Sequence, residues 1–219
     1  MTTTNEDAAR DEIVRTARAL HARGLSVATT GNVSQRWGDG MLITPSGTRY
    51  DALTPDQIVL VRGDGSVVEP GRRPSSEWRF HLAAYDARPD RAAVVHCHSP
   101  HATMLACTRR AIPAFHYLVT IAGGEDIPCV PYADFGSPEL ATHVAAGLAE
   151  RDACLLAHHG QVALGRSLTA ALDLAWIVED LARVYHGALL LGEVPLLDAD
   201  QVSRACERIG HYRDGIDRS

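Results

Sequence analysis

The sequence predicts an α/β fold: one domain over residues 1–219, built on a central mixed, largely antiparallel β-sheet covered by helices on both faces. Three observations carry this. Helical and strand-like apolar patterns alternate along the chain, an early hairpin argues against a purely parallel sheet, and no linker-like tract or repeat divides the sequence. A chain of 219 residues suits one sizeable core better than two.

The elements follow in order. Ile13, Ala17 and Leu20 recur at helical spacing and give a first amphipathic helix that stops near Gly24. Met41–Thr44 reads as a short strand, and Ile58–Val68 as a hairpin whose Asp64-Gly65 pair supplies the positive φ angles of its turn. Ser75 and Ser76 precede a helix carrying Trp78, Leu82 and Tyr85, closed by Arg88-Pro89-Asp90. Ala92–His98 reads as a buried strand. Ser99-Pro100 and Ser137-Pro138 each set an N-cap residue before a proline at the first helical position. Between them Ile127–Tyr132 reads as a short strand; Ala153–Ala157 is a buried one, after which the chain leaves the sheet at Gly160. A long helix runs from Leu168 to about Leu191.

Composition narrows the function. With 46% hydrophobic and 22% charged residues, disordered, collagen-like and coiled-coil classes are excluded. A net charge of -6 lacks the basic field that nucleic acid or an anionic membrane requires, so an anionic substrate needs a local site. The start MTTTNEDAARDE has no positive n-region and no apolar h-region, which leads to the expectation of a cytoplasmic protein. Asp173, Glu179, Asp180 and Arg183 interrupt the apolar run from Ala170 to Leu191, too many charges for a membrane span. Five cysteines without a CxxC pair read as reduced thiols.

In VVHCHSPH, His96 and His98 end a strand, and period-two alternation points both imidazoles to one face while Cys97 turns to the other. Many polar strand ends carry such a pair, so a third ligand decides. His159 closes another buried strand, and three imidazoles with an open position suit a catalytic zinc; His158 stands as the alternative ligand. Glu77 follows Ser75 and Ser76 at a helix N-terminus, where free N–H groups and hydroxyls attract anions, although a capping carboxylate would look the same. TTGNVS and TPSGT are hydroxyl-rich glycine turns with no Walker or dinucleotide fingerprint.

Seven segments in one order, TTGNVS, ITPSGT, PSSEWRFH, VVHCHS, IPAFHY, VPYADFGS and LLAHHG, resemble the class II L-fuculose-phosphate aldolase family, which also holds ribulose-phosphate 4-epimerases and adducin-like heads. The resemblance runs over nearly the whole chain. It implies one Zn2+ per subunit on His96, His98 and His159, with Glu77 both approaching the metal and carrying the proton. It further implies a phosphate pocket of Gly31, Asn32, Ser46, Gly47, Ser75 and Ser76, holding a sugar phosphate by neutral donors. Tyr117 is similar to the family tyrosine that reaches the aldehyde oxygen across a subunit interface, which implies a homotetramer with interfacial sites. Phe135, Ile209 and Tyr212 would wall the aldehyde pocket, the last two from a mobile C-terminal tail beginning near residue 205.

The reaction so implied is reversible retroaldol cleavage of a deoxyketose 1-phosphate, such as L-fuculose 1-phosphate, to dihydroxyacetone phosphate and an aldehyde. A metal is the electron sink, since the sequence contains no lysine and cannot form a Schiff base. Pentulose-5-phosphate 4-epimerisation is the rival within the family; its branch carries Asp where this chain has Glu77. A metal-free adducin-like binding module is the rival of another class, and it would lack the three histidines that this chain keeps.

Overall fold

The computed structural model describes residues 5–216, the last six as helical backbone alone. Helix α1 (Asn5–Ala22) leads into strands β1 (Asn32–Trp37), β2 (Gly40–Ile43) and β3 (Val59–Val61). Then come α2 (Trp78–Ala87), β4 (Ala93–Cys97), α3 (Pro100–Cys107), β5 (Cys129–Val130) and α4 (Pro138–Leu148). The chain finishes with β6 (Ala153–Leu156), β7 (Gly160–Gly165), α5 (Leu168–Leu191) and α6 (Ala199–Ile216). The strands form one sheet in the order β3-β2-β1-β4-β7-β6-β5, antiparallel throughout except for the β5–β6 pair. The expected fold class holds, and the long helix spans the residues the sequence assigns to it.

Alternation along the strands builds a separate core on each face. Val95, Cys97, Leu155 and Ala163 point to one side, against Ile13 and Leu20 of α1, Leu105 of α3 and Leu174 and Val178 of α5. Val94, Leu156, Val162 and Leu164 point to the other, against Phe80 and Tyr85 of α2 and Leu140 and Val144 of α4. Below the sheet end a buried ion group ties α2 to β6: Arg91 donates to Asp152 at 2.8 and 2.9 Å, and Arg88 meets the same carboxylate at 2.9 Å.

Several expectations need correction. The segment 58–68 is strand only over Val59–Val61; its second arm is a single bridge, Val61 to Val67, and Gly65 alone has positive φ (83°), closing the turn by donating to the Arg62 carbonyl. That is a turn with a glycine bulge, so Asp64 keeps an ordinary conformation. Strand β5 shrinks to two residues because Pro128 and Pro131 bracket it and cannot donate to a ladder. Strands β1 and β7 were not expected at all. β1 buries the polar Asn32 and Ser34, which hides its alternation. At Gly160 the chain does not leave the sheet: it reverses and pairs β7 with both β6 and β4. A side chain at Gly160 would collide with the Cys97 carbonyl, 2.4 Å from an added Cβ, so the glycine permits this close pairing rather than ending it.

Candidate active site

Three parts of the fold meet at one end of the central strands: the end of β4, the β6–β7 turn and the start of α2. His96 lies opposite Asn32 of β1 and Val162 of β7, and is fully buried. His98 lies one residue past the end of β4, and its imidazole meets that of His96, as their spacing predicts. His159 reaches them from the β6–β7 turn rather than from a strand end. In that turn His158 takes a left-handed conformation (φ 58°) and its Nε2 accepts from Arg109 Nε at 3.1 Å, away from the triad. His159 is therefore the third member, and the ring centroids of the three lie 4.8–4.9 Å apart.

Hydrogen bonding aims the rings. His96 Nδ1 lies 2.8 Å from the Gln161 carbonyl, which can only accept, so Nδ1 carries a proton and Nε2 faces the cluster. There His96 Nε2 lies 3.1 Å from His98 Nε2 and 3.1 Å from Glu77 Oε2, while His159 Nε2 lies 3.2 Å from Glu77 Oε1. Such convergence of lone pairs beside a carboxylate favours positive charge between them, as a metal ion would supply. The buried Glu77 Oε1 has no hydrogen-bond partner, although its sister oxygen does. These residues thus fit a metal ion, with His96, His98 and His159 as the ligand set.

Burial, with His96 nearby, pushes His98 down to about 4 and His159 down to about 3, so both are neutral at pH 7. Burial works against ionising Glu77, but the attraction and hydrogen bonding of His96, with His159 and Asn32, outweigh it and hold the carboxyl below the usual range. Glu77 occupies the N-cap of α2 yet makes no side-chain capping bond; its carboxylate turns into the cluster instead. The capping alternative is thereby excluded.

A cavity of about 350 Å³ opens over the triad. Gly31, Asn32, Ser46, Gly47, Ser75 and Ser76 all line it, with Phe135 and Tyr132 at the rim and no arginine among its lining residues. Ser75 Oγ already accepts from Asn32 Nδ2 at 2.9 Å and from the Glu77 backbone N–H at 3.3 Å, so its own proton remains for an acceptor in the cavity. Asn32 differs from the other five: its side chain is spent on Ser75, Glu77 Oε2 and His81. His81, fully buried and pushed down to about 3 by burial, is a site neighbour the sequence did not single out, although it ends the PSSEWRFH segment. The Gln161 carbonyl, being backbone, left no sequence signal.

Tyr117 and Ile209 are not in this cavity. They line a second groove of about 710 Å³, with Leu118, Leu197 and Arg204, between the turn Tyr117–Ala122 and α6. Tyr117 is 56% exposed. Residue 205 lies within α6, and the Tyr212 side chain falls outside the described residues.

A family model for the class II aldolase and adducin N-terminal domain matches residues 11–186. The chain belongs to this family. Among its relatives, this class II aldolase is 48% identical over 207 residues to a 5-methylthioribulose-1-phosphate/5-deoxyribulose-1-phosphate aldolase of Rhodospirillum rubrum, covering 94% of this chain and 93% of that one. It is 47% identical over 202 residues to the L-fuculose phosphate aldolase of Escherichia coli K12, covering 92% and 94%. A solved L-fuculose 1-phosphate aldolase superposes with a TM-score of 0.89 at 35% identity, covering 93% of this chain and 96% of that one. No helix among the described residues is long and apolar enough to cross a membrane.

Proposed function

We propose that this class II aldolase is zinc-dependent and reversibly cleaves a deoxyketose 1-phosphate, such as L-fuculose 1-phosphate or 5-deoxyribulose 1-phosphate, to dihydroxyacetone phosphate and an aldehyde. The observation that carries the reading is the buried Glu77 carboxylate, with one oxygen unpartnered, held against three converging imidazoles beside a cavity lined by neutral donors. Three neutral nitrogen ligands with room for substrate suit zinc. When bound, the zinc supplies Lewis-acid polarisation of the ketose carbonyl and positive charge where cleavage leaves negative charge.

The chain's own residues do the rest. The Ser75 hydroxyl, with Ser46, Ser76 and the turns at Gly31 and Gly47, donates to the phosphate and fixes which carbon lies next to Glu77. Glu77 delivers a proton through Oε1 to the carbon left by cleavage, and removes it in the condensation direction. In condensation the Tyr117 hydroxyl gives its proton to the aldehyde oxygen, in cleavage it takes that proton back, and exchange with solvent returns Glu77 to carboxylate and Tyr117 to phenol between turnovers. Its place in the second groove, apart from its own protomer's triad, supports a role at a neighbouring subunit's site in a homotetramer. Exposed Leu190, Leu191 and Leu196 supply apolar surface for such an assembly.

The decisive measurement compares kcat/KM across L-fuculose 1-phosphate, 5-deoxyribulose 1-phosphate, 5-methylthioribulose 1-phosphate and L-ribulose 5-phosphate in zinc-loaded protein. Cleavage of one or more 1-phosphates, detected as dihydroxyacetone phosphate, is expected. Turnover of the 5-phosphate alone, by epimerisation, would refute the proposal.

A further inference from the structure

From Asn32 at the cavity wall a buried chain of polar groups, which the reaction outlined above does not use, runs back behind Glu77 to His81 and Tyr85 of α2. Asn32 Nδ2 donates to Glu77 Oε2 at 2.9 Å, and Asn32 Oδ1 faces His81 Nε2. His81 Nδ1 lies 2.7 Å from Ser34 Oγ, and Ser34 Oγ lies 2.8 Å from the Tyr85 hydroxyl. His81 and Ser34 are fully buried, and Asn32 and Tyr85 nearly so. Four polar side chains sealed from water need a strong reason, since each left unpaired would cost about 1–3 kcal/mol.

Donor and acceptor rules fix every proton in this chain. A carboxylate only accepts, so the Asn32 amide must present Nδ2 to Glu77 and Oδ1 to His81. His81 must then donate from Nε2, which leaves Nδ1 bare; Ser34 donates to Nδ1, and Tyr85 donates to Ser34. All four bonds point the same way, from Tyr85 toward Glu77. Reversing any one of them sets two acceptors or two donors face to face.

We propose that His81 is a positioning residue: by holding the Asn32 amide in one orientation it ties down Oε2 of Glu77 and leaves Oε1 as the oxygen that serves the reaction. The inference rests on Glu77 being the proton carrier. Without the His81 donor Asn32 Oδ1 loses its buried partner and the amide is held from the Glu77 and Ser75 side alone, so the carboxylate it steadies is less tightly aligned. His81 does not itself line the cavity and reaches it only through Asn32, leaving Ser46, Ser75, Ser76 and the glycine turns untouched, so binding of substrate is largely spared.

The test replaces His81 with Leu, which removes the donor, and with Gln, whose amide nitrogen reaches the same place. Per metal-loaded subunit, His81→Leu is expected to lower kcat about 10- to 100-fold with KM within about threefold, while His81→Gln recovers most of the loss. A structural role alone would lower the folded fraction and leave kcat per metal-loaded subunit at the wild-type value, and that result overturns the proposal. If His81→Leu fails to fold, Ser34→Ala carries the test, since it strips the donor that holds Nδ1; an unchanged kcat there is equally adverse. In the wild type, nitrogen-15 spectra of the histidines should show the Nε2–H tautomer at His81 with or without metal, and an Nδ1–H tautomer refutes the directed chain. Adding His81→Leu to Glu77→Gln should cost nothing further, because the positioned group is gone. Should Glu77→Gln alone keep wild-type turnover, the proton-carrier reading fails; should only His81→Leu do so, that reading stands and the positioning role fails.

Discussion

Replacing Glu77 with Gln removes one charge and the capacity to carry a proton while keeping volume and shape. The local geometry accepts the change: an amide oxygen in the Oε2 position still takes the Asn32 hydrogen bond, and the amide nitrogen in the Oε1 position is left beside His159 Nε2, 3.2 Å away, without drawing on the lone pair the metal needs. The three imidazoles and the phosphate donors stay in place, so zinc and phosphate should bind nearly as before. Loss of a general acid-base group lowers turnover by about 10²- to 10⁴-fold, or about 2.7–5.4 kcal/mol of barrier at 1.36 per factor of ten. Solvent exchange of the C3 proton of dihydroxyacetone phosphate isolates this step, since it needs no aldehyde. The variant should bind the phosphate, retain zinc by elemental analysis and exchange at under a hundredth of the wild-type rate. Exchange at the wild-type rate would show that another group moves the proton, leaving Glu77 as a charge that holds the imidazoles.

His159→Ala should leave two imidazoles, and after dialysis its zinc content should drop below roughly a tenth of one per subunit; full occupancy would redirect attention to His158. Tyr117→Phe should lower kcat without dissociating the assembly, and sedimentation showing a fully active monomer would refute the shared site. In metal-free protein, stability should fall as pH drops from about 6.5 toward 4. His81, His98 and His159 have folded pKa values below their unfolded ones, so the unfolded chain takes up protons first, at up to about 4 kcal/mol per pH unit for three groups. A melting temperature unchanged between pH 7 and 5 contradicts this. Asp152→Ala should cost about 3–5 kcal/mol in urea unfolding, because it strips the buried Arg91 of two of its charged hydrogen bonds, leaving it Asp90, and removes one of the two carboxylates of Arg88.

The helices and the aim of His96 and His98 were legible because 3.6- and two-residue periods are local properties of the chain. Strand β1 was hidden for the reason that makes it useful: Asn32 and Ser34 spend buried positions on polar groups, so the apolar alternation fails where the site begins. β7 was hidden by Gly160, which reads as an exit and is in fact a place of close strand approach. Which of His158 and His159 joins the triad depends on a left-handed turn residue, and period-two reasoning says only that one of the two can join. Tyr117 carries a clear motif, but its distance from the triad within one protomer is a property of tertiary structure. The ties of Asn32 to Glu77 and of His96 to the Gln161 carbonyl link positions far apart in sequence, and no spacing rule reports them.

The place of β4 between β1 and β7 governs when this enzyme comes into being during its own synthesis. His96 and His98 emerge long before His159, and β7, which supplies the carbonyl that orients His96, is the last strand made. A nascent chain ending before His159 has the first two histidines but neither the third nor the Gln161 carbonyl that sets the His96 ring. With the proposed three-histidine site, such a chain lacks a complete ligand set, and tight metal binding would follow closure of the middle of the sheet.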